Sequence, residues 1–305
     1  MKIGLMLNDS GDKSNSLDNM VAFAKEAEAK GFPSLWMAHI FGYDALTALA
    51  IVGRETSTIE LGTAVISVYR QHPFALGQQA LTTQAACDGR LNLGIGLAHQ
   101  PVVEGMFGMS YDKPARYMRE FLEILNPVLH GNASSFAGEL LTGRGSMIVE
   151  EAQKPVNLFV AALGPVMLDL CGKQADGTVT WMTGKKTIET HILPKLAKAA
   201  SAVGKPDPRV VAGFPICVTS DVEGTKKLIS ESLTIYGELA SYRSMLDLEG
   251  AAGPADIAVV GDEAAVDAEL DRIAAAGVTD FNAAIIAKND KDRQRTMDYL
   301  ASKVK

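Results

Sequence analysis

The sequence predicts an α/β fold of one domain, a closed (β/α)8 or TIM barrel with insertions, and three observations carry that prediction. Strand and helix signals alternate along all 305 residues. Short apolar runs near residues 3, 34, 60, 91, 157, 178, 211 and 282 supply eight strand candidates with helical stretches between them. That alternation suits right-handed βα units closing into a barrel. No G-x-G-x-x-G follows the first strand, which disfavours the open doubly wound sheet of dinucleotide-binding proteins. A chain of this length is commonly a single barrel, so residues 1–305 are expected to form one domain.

The elements follow in order. A strand near residues 3–7 leads into a polar loop. Leu17, Met20, Val21, Phe23, Ala24, Ala27 and Ala29 then carry a helix that Gly31 ends. Ser34–Met37 reads as the second strand, and Asp44 caps a helix over 45–55. Residues 59–68 are mostly apolar or β-branched, with Glu60 the one charge near the start, the pattern of a buried parallel strand. This run breaks into Tyr69-Arg70-Gln71-His72 and closes on Pro73. A helix over 74–86, the Asp88-Gly89 turn and the strand Leu91–Gly96 come next. Helices are expected over 101–107 and Pro114–Leu129. Residues 131–151 are Gly- and Ser-rich and read as an excursion or lid. Strands at 156–161, 178–180, 210–218 and 281–286 complete the set, with helices over 166–175, 188–203, 223–248 and 266–276.

Composition narrows the function classes. Net charge is −7 and the pI is near 5.3, unlike the basic surfaces that bind nucleic acid or anionic membranes. No run approaches the ~20 apolar residues of a membrane span. The start of the chain lacks a basic n-region and an apolar h-region, so a cytoplasmic protein without a signal peptide is expected. Cys87, Cys171 and Cys217 are widely spaced and odd in number, which suggests reduced, buried thiols.

A barrel gathers the residues after each strand at one mouth. Here they are Asn8 and Asp9, then Ala38 and His39, then Ser67 to His72, then Leu97, Ala98, His99 and Gln100. Three of the five histidines, His39, His72 and His99, therefore converge. A three-histidine zinc site is disfavoured because supporting carboxylate or cysteine ligands and short spacing are absent, so no metal is expected. Gly94-Ile95-Gly96 suggests close packing where backbone approaches a ligand. The turn Ala162-Leu163-Gly164-Pro165 leaves N–H groups free at a helix start and reads as a phosphate site, with Gly177 and Thr178 adding to its cradle. Lys185 and Lys186 follow the sixth strand and suit a solvated pair or a ligand's anionic tail.

Several motifs together resemble the luciferase-like monooxygenase superfamily, in its coenzyme F420 (deazaflavin)-dependent oxidoreductase branch. They are Gly31-Phe32-Pro33-Ser34-Leu35-Trp36, the segment from Asp44 to Ala50, the third strand through His72-Pro73, Gly89-Arg90-Leu91-Asn92-Leu93-Gly94-Ile95-Gly96, the run from His99 to Gly105, Ala162-Leu163-Gly164-Pro165 and Ala175-Asp176-Gly177-Thr178. The resemblance implies a bacterial luciferase-like barrel that acts as a homodimer and transfers hydride between F420 and a small, largely apolar enone, ketone or alcohol. It further implies a non-proline cis bond between Ser67 and Val68 backing the coenzyme ring, with the phosphate on Ala162, Leu163 and Gly164. Ala38, His39, Gly96 and Ala98 would border the coenzyme. A sugar-phosphate branch carries Asp before the first histidine and Glu after the fourth strand. This chain has Ala38 and His99 there, which argues against glucose-6-phosphate. His99 is the first candidate for the proton-transferring residue and His39 the second. The rival readings are an FMN-dependent monooxygenase of the same fold and a non-catalytic coenzyme-binding barrel.

Overall fold

The computed structural model describes residues 1–7 and 16–304, so Asn8 and Asp9 lie outside the described residues. Among the described residues twelve strands form, in chain order: β1 Lys2–Leu7, β2 Ser34–Met37, β3 Glu60–Thr63, β4 Ile66–Ser67, β5 Leu91–Gly96, β6 Ser134–Ala137, β7 Thr142–Gly145, β8 Asn157–Val160, β9 Gly177–Trp181, β10 Arg209–Val218, β11 Val259–Gly261 and β12 Asp280–Ile285. Neighbours pair in the order β1, β2, β3 with β4, β5, β8, β9, β10, β12 and back to β1, all parallel. This is the closed eight-stranded barrel expected from the alternation. β11 pairs with the last residues of β10, and β6 and β7 make a separate antiparallel hairpin.

Side chains alternate in and out along each strand. Outward-facing Leu5, Leu35, Leu61, Leu93, Leu158, Phe214 and Phe281 join the main core beneath the helices. Inside the barrel, Trp36, Phe159, Val179 and Val211 form a plug, with the Trp36 and Phe159 rings edge-to-face at 5.4 Å. Gly62 is required there, because a Cβ would sit 2.2 Å from the Trp36 ring.

The 59–68 run is not one strand. Pairing with β5 goes from Gly62 opposite Asn92 to Ile66 opposite Ile95, so three residues on one side face two on the other. The extra residue makes a bulge. Thr63 bridges it: its hydroxyl donates to the Gly94 carbonyl at 2.7 Å and accepts from the Gly94 N–H at 2.8 Å. The cis peptide bond lies within this bulge, between Ala64 and Val65. The expected position between Ser67 and Val68 is thereby corrected. Regular pairing has resumed by Ile66, and Val68 is fully buried in the outer core at the start of a 3-10 turn, Val68–Arg70.

The excursion folds as the β6–β7 hairpin and is clamped to helix Pro114–Leu129. Glu120 accepts from the N–H groups of Glu139, Leu140 and Leu141 at 3.0, 2.7 and 2.8 Å. Burial alone would raise its pKa, but these three bonds hold it below the usual carboxylate value. The helix expected over 188–203 is interrupted by a π turn, Ile188–Ile192. Pro194 explains the interruption, since it lacks an N–H and crowds the carbonyl four residues back. The stretch expected over 223–248 divides into Val222–Ser232, Thr234–Glu238 and Ala240–Glu249.

Candidate active site

At the carboxyl ends of the strands, the bulge forms a ledge. Ala64 and Val65 are half-buried and rest on the Trp36–Phe159 plug. Two glycines give the ledge room. A Cβ on Gly94 would lie 2.0 Å from the Thr63 carbonyl oxygen, and one on Gly96 would lie 2.7 Å from Val65. The Gly94-Ile95-Gly96 spacing thus answers to the bulge itself. Beyond Gly96, Ala98 adopts a left-handed φ of 59°, and Tyr111 donates to its carbonyl at 3.2 Å. Met182, just after β9, is the other left-handed residue at a barrel strand end, with φ 52°. Such conformations are uncommon for non-glycine residues and collect at functional sites.

His39 and His99 flank this region. The His39 side chain is 8% exposed, and its Nε2 contacts Arg70 Nη1 and lies 3.5 Å from Asp44 Oδ2. Burial lowers the His39 pKa, Arg70 lowers it further, and Asp44 partly opposes them. Burial likewise lowers the pKa of His99, whose ring lies 5.5 Å from Tyr242. Both imidazoles are therefore neutral at pH 7. His72 is committed elsewhere. Its Nδ1 accepts from Phe74 N at 3.2 Å as a helix cap, and its Nε2 donates to the Thr142 carbonyl at 3.0 Å. A cavity of about 480 Å3 opens beside His39 and is lined by Asp44, Tyr69, Arg70, Phe107 and Met109 among others. Among the described residues no cluster of His, Cys, Asp and Glu has metal-binding geometry.

The turn after β8 has the features of an anion site. Helix Pro165–Gln174 starts at Gly164 with no side-chain cap, and nothing lies within 4 Å of where a Gly164 Cβ would be. The first N–H groups of a helix lack intrahelical partners and carry its positive dipole end. His191, on the π turn, supports this loop from behind. Lys195 Nζ, which only donates, is 3.0 Å from His191 Nδ1, so Nε2 carries the ring proton and donates to the Leu163 carbonyl at 2.8 Å. A carbonyl held toward His191 turns the Gly164 N–H of the same trans peptide to the opposite side.

Residues 1–280 match the family model described as luciferase-like monooxygenase. The chain belongs to this family. A putative coenzyme F420-dependent oxidoreductase of Mycobacterium tuberculosis is 34% identical over 173 residues, covering 55% of this chain and 49% of that protein. An F420-dependent secondary alcohol dehydrogenase, solved with an F420-acetone adduct, superposes with a TM-score of 0.81 at 16% identity, over 98% of both chains. The oxygenating constituent of 3,6-diketocamphane monooxygenase from Pseudomonas putida, solved with FMN, gives a TM-score of 0.76 at 16% identity, over 100% of this chain and 97% of that one. Both structures share the luciferase-like barrel.

Within that family barrel, Ala38, His39, Gly96, Ala98, His99, Ala162, Leu163 and Gly164 all fall just at or beyond the carboxyl ends of strands, as the sequence reading places them. Ser67 and Val68 are at the same level, but Ser67 caps the 3-10 turn through Tyr69 N at 3.3 Å and Val68 faces the outer core. Gly177 and Thr178 are not at the mouth. They begin β9 opposite Arg209 and Val210, at the amino end, and the fully buried Thr178 donates to the Val160 carbonyl at 2.8 Å. Their expected share in the phosphate cradle is a misplacement, because the Asp176-Gly177 turn enters the strand instead of leaving it. Sequence reasoning missed Asp44 as a partner of His39, and Arg70 as anything beyond a polar tail. It also gave His191 no role. Only the spacing of Tyr69-Arg70 directly after a buried strand pointed toward the site.

Proposed function

We propose that the chain is an oxidoreductase using coenzyme F420, with a small and largely apolar ketone, enone or alcohol as its partner substrate. The ledge of Ala64 and Val65 carries this reading: it is an apolar, half-exposed surface on a rigid plug, flanked by two neutral histidines. A flat tricyclic ring fits such a surface. The Ala162-Leu163-Gly164 turn fits the coenzyme phosphate at the far side of the same mouth. When bound, F420 supplies two-electron hydride chemistry. The chain's own groups orient the ring, exclude water and handle the proton. His99, neutral at rest, accepts the proton of an alcohol substrate at a ring nitrogen and returns it to a carbonyl oxygen in the reverse direction. His39, which lines the cavity, is the second candidate for proton transfer. The 34% identical mycobacterial relative supports F420 over FMN. By family likeness the protein acts as a homodimer in the cytoplasm, and sizing in solution tests the dimer.

Titration of the protein with F420 and with FMN, followed by absorbance, tests the cofactor. Saturable F420 binding with no FMN binding is expected, and the reverse outcome replaces this reading with the FMN monooxygenase. With F420 bound, His99→Asn is expected to lower turnover by ~10²–10⁴-fold while coenzyme affinity holds. Binding without turnover by wild type on any ketone, enone or alcohol would point to the non-catalytic barrel.

A further inference from the structure

Arg70 is the unassigned group whose geometry says most. Its Nη1 contacts His39 Nε2, its Nη2 donates to the Ile40 carbonyl at 3.0 Å, and its guanidinium carbon lies 5.6 Å from the centre of the Phe107 ring. The side chain is thus held from three sides. A guanidinium has five N–H donors, no acceptor and no accessible deprotonated form. The His39 nitrogen facing it must therefore offer a lone pair. A neutral His39 then keeps its proton on Nδ1, which is buried and has no hydrogen-bond partner.

Asp44 favours the opposite arrangement, since a carboxylate 3.5 Å from Nε2 prefers a proton there. Arg70 prevails for two reasons. It is the nearer group, and the Asp44 carboxylate is held at the helix start by Thr47 N and Oγ1, which donate to its Oδ1 at 2.8 and 2.7 Å, so that its Oδ2 stays 3.5 Å from Nε2. Arg70 and Asp44 are the charged groups acting on His39 among the described residues.

We propose that Arg70 is a positioning residue that fixes His39 as its Nδ1–H tautomer and so holds a neutral ring of set orientation in the cavity wall. This rests on the proposed function in placing His39 at the reacting site. Removing Arg70 releases Nε2 to Asp44, which moves the proton to Nε2 and gives an imidazolium form a partner.

The test is 15N NMR of the full chain labelled at histidine, without coenzyme, with His39 signals identified by their loss in His39→Asn. Wild type is expected to show Nδ1 protonated and Nε2 bare. Arg70→Met is expected to reverse the tautomer and shift the His39 titration upward. Arg70→Lys, which also only donates, is expected to retain the wild-type tautomer. Asp44→Asn keeps a capping side chain and is expected to leave the wild-type tautomer unchanged. An Nε2–H tautomer in wild type overturns the proposal, as does an Arg70→Met protein with unchanged tautomer and titration. Should Arg70→Met fail to fold, the wild-type and Arg70→Lys spectra decide. A wild-type protein with the Nδ1–H tautomer that binds neither F420 nor FMN overturns the functional reading instead.

Discussion

The two ends of the barrel are built on opposite principles. At the amino end, Arg209 donates to Asp280 at 2.6 and 3.2 Å and to Glu60 at 3.0 Å. Glu60 also accepts from Lys2 at 3.0 Å and from Asn92 at 2.9 Å, and Asn157 donates to Asn92 at 2.9 Å. The charges there are paired by neighbours from six strands, and the Arg209 guanidinium caps the Phe159 ring at 5.3 Å. At the carboxyl end, His39 Nδ1 and the Tyr69 hydroxyl are buried without partners, and Ala98 and Met182 hold left-handed backbone. Asn282, one inward step above Asp280, is where satisfaction stops, since both its amide atoms lack partners. Polar groups left unmet cost stability, so one end locks the barrel while the other keeps capacity for a ligand.

Changes at the two ends should separate stability from binding. Arg209→Met leaves the almost fully buried Asp280 carboxylate unpaired, and the expected loss is about 3–5 kcal/mol in urea unfolding. A loss below 1 kcal/mol would remove the claim that this end locks the barrel. Gly94→Ala comes next, because its Cβ meets backbone that cannot swing aside, at an expected cost of about 1–3 kcal/mol. Gly96→Ala meets the Val65 side chain instead and should cost less, while still weakening coenzyme binding by lifting the ledge. Equal melting temperatures for the two alanine variants would contradict that ordering.

Glu120→Ala tests whether the hairpin belongs to the mouth. Three N–H groups lose their acceptor, so hydrogen exchange at Glu139, Leu140 and Leu141 should accelerate, with a stability loss of about 1–3 kcal/mol. Coenzyme affinity should not change; a marked change would make the hairpin a working lid. The smallest effect concerns pH. His39 and His99 have lowered native pKa values, so the unfolded chain takes up protons first as pH falls below about 6.5. Stability should therefore be flat above that value and fall below it, by at most ~1.4 kcal/mol per pH unit for each histidine, until the native values are reached. His39→Asn should flatten part of this slope.

Particular residues show what was readable. The eight barrel strands were legible because a strand buried on both faces needs a continuous apolar run bounded by turns, and 34–37, 91–96 and 210–218 all have that form. His39, His99 and the Gly164 turn were legible because they directly follow such runs. The bulge was not, since residues 61–66 carry no charge or proline through it and only the register against β5 reveals the extra residue. Gly177 and Thr178 misled because they begin their strand, and the start of a parallel barrel strand faces away from the mouth. β11 and the β6–β7 hairpin were missed for a simpler reason: β6 and β7 are mostly exposed and lack the apolar run of a barrel strand, and β11 is only three residues long.

By itself the sequence determined the barrel, its strand order and the set of residues delivered to the mouth, because these follow from local hydrophobic period and chain order. Tertiary structure alone decided the state of those residues. It set Ala64 and Val65 on the aromatic plug, brought Arg70 and Asp44 to the same nitrogen of His39, and put His191 behind the Leu163 carbonyl. Apart from Asp44, which is five residues from His39, these partners lie about 28 or more residues apart in the chain, so no local pattern encodes them. Protonation and hydrogen-bond direction depend on which donor or acceptor stands within about 3 Å, and folding is what supplies that neighbour.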